Sequence, residues 1–150
     1  MAFLGSMDII GSGLTAQQLR LDVIAENVTN MNTTRTEGGG AYRRKVVVLQ
    51  AQGERDPFRT ALAQAYAGGA GRGPAGGVVV EEISEDPSDL KLVYDPTHPD
   101  ANEEGYVELP NVDLVKEITD AMAATQAYSA NVTALNTLKA VVAKALEIGR

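Results

Sequence analysis

Few residues in this 150-residue chain have the types and spacing that chemistry needs. The one histidine, His98, lies in a proline-bracketed loop with Asp95, Asp100, Glu103 and Glu104 as its carboxylate neighbours. Such a set could hold a divalent ion loosely. A calcium loop, however, needs alternating oxygen ligands, a mid-loop glycine and a terminal glutamate, and that order is missing. The segment therefore reads as a solvated acidic loop, and no metal or cofactor is expected. There is no cysteine, so neither a thiolate nucleophile nor a disulfide framework can form. Gly11-Ser12-Gly13 and Gly38-Gly39-Gly40 lack the preceding strand and following helix of a phosphate cradle, and no Lys-Ser/Thr pair follows either. They read as a hinge or a thin packing surface. Hydroxyls abound, but nucleophilic catalysis needs a base held beside one, and His98 has no motif around it. Carboxylate pairs occur throughout an acidic chain and identify nothing. No catalytic residue is expected.

The elements that would have to position any site explain why the chemistry is thin. Both ends carry a seven-residue repeat of apolar positions. The N-terminal stripe runs Phe3, Met7, Ile10, Leu14, Gln17, Leu21, Ile24, Val28, Met31, and the C-terminal one Leu114, Ile118, Ala121, Thr125, Tyr128, Val132, Leu135, Lys139, Val142, Leu146. Stripes this narrow match a coiled-coil seam better than a helix sunk in a globular core. Gln17, Thr125 and Lys139 interrupt them singly, as expected where register and partner choice are specified. A second row, Ala134, Leu138, Val141, Ala145 and Ile148, gives the C-terminal helix more apolar surface than one helix pair can bury. Contacts with several neighbours follow from that, as in the wall of a tube.

The expected fold class is α+β. The first helix should span Ala2 to about Met31, with Ser6 or Asp8 as cap. The polar run Asn27 to Thr34 ends it, because Asn and Thr side chains compete for backbone bonds. Strands are expected at Tyr42–Gln50, Val78–Ser84, Leu90–Tyr94 and Gly105–Leu109, the last two as partners. Thr60 to Ala67 is a weak helix or extended segment, and Gly68 to Gly77, with six glycines and one proline, is a flexible connector. The second helix opens at Pro110-Asn111-Val112-Asp113, capped by Asn111 or Asp113, and runs to Ile148. Three parts result: an N-terminal helix over 1–34, a β-rich middle over 35–110 and a C-terminal helix over 111–150.

Composition narrows the partners. With no Trp and only two Phe and five Tyr, the compact core should be thin, and stability should come partly from neighbours. A net charge of −7 argues against a general grip on nucleic acid or anionic lipid. The one basic cluster, Arg43-Arg44-Lys45, reads as a solvated strand edge. No apolar run reaches the roughly 18 residues of a membrane span, and no conventional signal peptide is legible.

The segment from Ser12 to Asn30, ending in Ala25, Asn27 and Asn30, resembles the N-terminal signature of the bacterial flagellar rod and hook axial proteins. Ala127-Tyr128-Ser129-Ala130-Asn131-Val132 is similar to the C-terminal one. The middle motifs, Asp86-Pro87-Ser88, Leu92-Val93-Tyr94-Asp95-Pro96, His98-Pro99, Gly105-Tyr106-Val107 and Pro110-Asn111-Val112, look like those of the proximal-rod members. The resemblance implies a structural subunit of the rod, which carries torque from the motor ring across the periplasm to the hook. It implies uncleaved export by the flagellar type III apparatus. It also implies contacts with other proximal and distal rod subunits, the adaptor between the MS ring and the rod, and further copies of the chain, without direct membrane insertion. The residues expected at those contacts are Ile10, Leu14, Gln17, Leu21, Ile24, Asn27, Val28, Asn30, Leu114, Ile118, Thr125, Tyr128, Asn131, Val132, Leu135, Val142 and Leu146. A different class of function, a soluble helical module that holds regulatory or chaperone-like partners reversibly, would use the same stripes.

Overall fold

The computed structural model describes residues 2–52 and 76–148. The expected segment Thr60 to Ala67 and most of the Gly68 to Gly77 connector lie outside them. Helix α1 covers Ala2–Thr29, strands β1 to β4 cover Lys45–Ala51, Val78–Glu85, Lys91–Tyr94 and Tyr106–Leu109, and helix α2 covers Leu114–Ile148. Strands β1 and β2 form one two-stranded sheet, and β3 and β4 form another. The architecture is α+β, two long helices with small sheets between them in sequence. At 1.5 Å per residue the 35 residues of α2 extend about 50 Å.

The helix ends are set by side chains. Asp113 caps α2: its carboxylate accepts the Val115 N–H at 2.9 Å and its carbonyl takes the Glu117 N–H at 2.9 Å. Helix α1 begins at Ala2, so Ser6 and Asp8 lie within it rather than at its N-terminal boundary. At its other end the Asn30 amide donates to the Glu26 carbonyl at 2.9 Å, while the Thr33 hydroxyl donates to Asn30 Oδ1 at 3.1 Å. The Glu26 carbonyl thus accepts both the backbone N–H of Asn30, at 3.0 Å, and its side-chain amide.

Two compact units divide the chain. The first comprises Met1–Gln18, Leu49–Glu81 and Thr125–Arg150. Among its described residues only Ala16 is buried. Its helices approach closely where Gly13 faces Asn131: a Cβ on Gly13 would lie 3.0 Å from Asn131 Nδ2. Gly13 is thus a thin packing surface, as expected, whereas a Cβ on Gly11 would meet nothing within 4 Å. The Ser12 hydroxyl donates to the Ile9 carbonyl at 2.7 Å and accepts the Val78 N–H at 3.0 Å, tying the start of β2 to α1.

The second unit, Leu19–Val48 and Glu82–Ala124, holds most of the buried positions among the described residues. Val23, Ile24, Tyr42, Val107, Val112 and Ala124 are buried there, together with Asn27, Arg44 and Glu117. The expected pairing of β3 with β4 is present and antiparallel, running from Lys91 opposite Leu109 to Tyr94 opposite Tyr106.

Candidate functional site

Among the described residues a cluster of converging polar groups lies inside the second unit, and its centre is Asn27. This side chain is 1% exposed, and all four of its amide bonding positions are used. Nδ2 donates to the Lys45 carbonyl at 2.9 Å and to Glu117 Oε2 at 3.1 Å, while Oδ1 accepts the Lys45 N–H at 2.9 Å and the Tyr42 hydroxyl at 2.9 Å. By taking both the N–H and the C=O of Lys45, the amide imitates a neighbouring strand and closes that edge of β1. Asn111 bridges two segments nearby: Oδ1 accepts the Arg44 N–H at 2.8 Å, and Nδ2 donates to the Asp86 carbonyl at 3.2 Å.

Arg44 supplies the charge. Its Nε donates to Glu117 Oε1 at 2.6 Å, one terminal nitrogen donates to Asp120 at 3.0 Å, and the other lies 3.6 Å from Asp86. Asp120 also lies 3.6 Å from Arg20 on α1. Glu117 has no exposed surface, and a carboxylate there is tolerable only because Arg44 and Asn27 occupy its oxygens. Burial disfavours the charged Arg44, but the bond to Glu117 and the fields of Glu117, Asp120 and Asp86 outweigh it and raise its pKa. Burial, followed by the fields of Glu26, Glu117 and Glu85, pushes the Tyr42 hydroxyl up to about 12. Bonds from the Ser88 backbone and hydroxyl, helped by Arg44, hold Asp86 below the usual carboxylate range.

A small cleft of about 80 Å³ borders Arg44, Glu117 and Asp120, and the polar groups of the cluster described above are already bonded to one another. The cluster is a joint that fixes β1 to both helices of the unit. The basic cluster is accordingly not a solvated edge: Arg44 is buried, and Arg43 reaches the Ser88 carbonyl at 3.3 Å. Lys45 pairs with Glu26 and sits over the Tyr42 ring at 5.7 Å. At the acidic loop, the Asp100 N–H donates to His98 Nδ1 at 3.1 Å, and the Asp100 carboxylate accepts the Thr34 hydroxyl at 2.8 Å. Among the described residues no three His, Asp or Glu side chains converge as a metal would require, and no helix is long and apolar enough to cross a membrane.

The residues expected at subunit contacts are divided between the two units. In the second unit Ile24 and Asn27 are buried in the chain's own interior, Asn30 is the helix-ending amide, and Leu21 and Val28 are half-buried, whereas Leu114 and Ile118 are exposed. In the first unit Ile10, Leu14, Gln17, Tyr128, Asn131, Val132, Leu135 and Val142 are half-buried, and Thr125 and Leu146 are exposed. Gln17 Oε1 is buried without a hydrogen-bond partner. The buried positions Glu117 and Ala124 bracket half-buried Ala121 at heptad spacing, so the inward stripe at the start of α2 lies beside the apolar one read from the sequence. Periodicity of apolar residues could not show this, because one inward position is a glutamate.

Comparison with known proteins places the chain. Residues 7–35 match the family model for the flagella basal body rod protein, and residues 103–148 match that for the flagellar basal body rod FlgEFG protein C-terminal region. The flagellar basal-body rod protein FlgC of Bacillus subtilis is 48% identical over 97% of both chains. The FlgC proteins of Borreliella burgdorferi and Escherichia coli O6:H1 are each 41% identical, over 99% and 100% of this chain and 98% and 100% of their own. The chain belongs to the FlgC family of flagellar basal-body rod proteins. The first matched region contains Asn27 and Asn30 and the second contains Glu117, so two family segments meet at the Asn27–Glu117 bond.

Proposed function

We propose that this chain is a structural, non-catalytic subunit of the flagellar proximal rod, assembling with other subunits into a helical tube that transmits torque from the motor ring to the hook. The observation that carries this reading is similarity to FlgC proteins along the full length of both chains. The structure supports it physically. In the first unit both helices lack an interior of their own among the described residues, and Ile9, Val141 and Leu146 are exposed. Helices of that kind gain order from packing, and head-to-tail contacts that do not close generate tubes. Coiled-coil-like pairing, with each other and with neighbouring subunits, belongs to this reading.

The partners are other proximal and distal rod proteins, the MS-ring/rod adaptor, the type III export apparatus during delivery, and copies of the chain. The location is the rod where it spans the periplasm. The helical parts, 1–34 and 111–150, form the tube wall, and the middle, 35–110, lies outside it. Contacts run through the half-buried and exposed stripe residues, whereas Asn27 acts from within by holding β1. The test is fractionation of cells carrying a tagged full chain. Retention in detergent-washed basal bodies, with loss of swimming on deletion, is expected; a wholly cytosolic pool would instead favour a soluble partner-binding module.

A further inference from the structure

The β3–β4 hairpin has two unlike faces. Its register sets Leu92 opposite Glu108 and Tyr94 opposite Tyr106 on one face, with Val93 opposite Val107 on the other. On the second face Val107 is buried while Val93 is 43% exposed, and the first face leaves Leu92 65%, Tyr94 64% and Tyr106 41% exposed. The two rings meet edge to face at 5.3 Å. The turn below is shaped to hold them. Gly105 has φ +83°, and a Cβ there would lie 3.0 Å from Tyr94 Cε2 and 3.2 Å from Pro96 Cβ, so the Tyr94 ring rests directly on the turn. Rings already held in place lose little freedom on binding, and such tyrosines dominate interface energetics.

The surroundings are strongly one-signed. Asp95, Asp100, Glu103, Glu104 and Glu108 fall within 95–108, a segment with no Lys or Arg. Tyr106 and Glu108 also border a cleft of about 470 Å³, in which the one basic lining residue, Arg35, lies 3.9 Å from Asp100. We infer that this hairpin face docks a segment of a different protein that presents an arginine or lysine beside an apolar side chain. The apolar group packs on Leu92 and the ring pair, and the cation meets Glu108 and the tyrosine faces. A second copy is the poorer match, because each chain carries a formal charge of −7. The inference rests on the rod reading, since only an assembled chain has neighbours around its middle.

The test uses the full chain in basal bodies. A photo-crosslinking amino acid at position 94 or 106 should join a different rod-assembly protein within a few residues of a Lys or Arg. In the unaltered chain, hydroxyl-radical footprinting should show Tyr94 and Tyr106 protected about 5-fold or more relative to the free protein. Glu108→Lys should reduce both signals several-fold, and Glu108→Gln should reduce them less. A chain present in basal bodies with both tyrosines still reactive overturns the inference alone. So does cross-linking confined to the same chain, to a second copy, or to an acidic segment. Absence of the chain from basal bodies overturns the rod reading and the inference together.

Discussion

Asn27→Asp keeps the shape of the side chain and changes one atom, so it isolates the hydrogen-bond logic of the joint from its packing. In the native chain Nδ2 donates to the Lys45 carbonyl and to Glu117. An oxygen in its place leaves both acceptors without a donor and sets a second carboxylate about 3 Å from a glutamate with no exposed surface. Each buried acceptor left unsatisfied costs about 1–3 kcal/mol, and the added repulsion brings the expected loss to roughly 3–5 kcal/mol. With a urea m-value of about 1.5–2 kcal/mol/M, the unfolding midpoint should fall by about 2 M. The sign of the pH dependence follows from the site. Glu117 and the Lys45 carbonyl push the introduced carboxyl above its unfolded value of about 3.9, so the penalty grows as pH rises through the raised value and shrinks as pH falls towards the unfolded one. The assay is urea unfolding followed by circular dichroism at neutral and mildly acidic pH. A loss below about 1 kcal/mol at neutral pH, or one that deepens on acidification, would refute this account of Asn27.

The other predictions test separate parts of the structure. Arg44→Met strands a buried glutamate and should cost about 3–5 kcal/mol, whereas Arg44→Met with Glu117→Met should recover most of it; additive losses in a double-mutant cycle would contradict the coupling. Tyr42 should ionise well above an unfolded tyrosine when followed by absorbance. Its folded value lies above the unfolded one, so its roughly 2–3 kcal/mol of stabilisation is complete below about pH 10 and is lost as pH rises towards 12; a normal titration would contradict its burial. Gly11→Ala has open space and should raise stability by about 0.5–1 kcal/mol through helix propensity. Gly13→Ala meets Asn131 at 3.0 Å and should gain less or lose; equal gains in thermal unfolding would count against the close helix approach.

What the sequence disclosed depended on whether a position announces itself by being apolar. The α2 boundary and the β3–β4 pairing are legible in the sequence, and so is the cap as either Asn111 or Asp113, because capping residues and short alternating runs follow directly from backbone bonding needs. The expected start of β1 is three residues early, since Tyr42 is tied to Asn27 on α1 and Arg44 to Asn111 and to Glu117 on α2 before the strand begins at Lys45. The joint itself was invisible. Arg44 and Glu117 are of residue types normally found in solvent, and only the convergence of α1, β1 and α2 gives each of them a partner. One signal was present: Glu117 falls four residues before Ala121 and seven before Ala124, at the spacing of an inward stripe. The resemblance motifs pointed to Asn27 and Asn30 without saying why. Asn27 occupies a site that requires two donors and two acceptors at once, and Asn30 ends the helix with its own amide.

On the proposal above, the helices of this rod subunit find in neighbouring subunits the packing that their exposed residues lack. A density map of intact basal bodies from cells that depend on this chain tests it most directly. The account predicts the chain within the rod, with Ile118 and Leu146 within about 4.5 Å of apolar side chains of neighbouring subunits. A rod that lacks the chain, or that contains it with both residues still facing solvent, would contradict it.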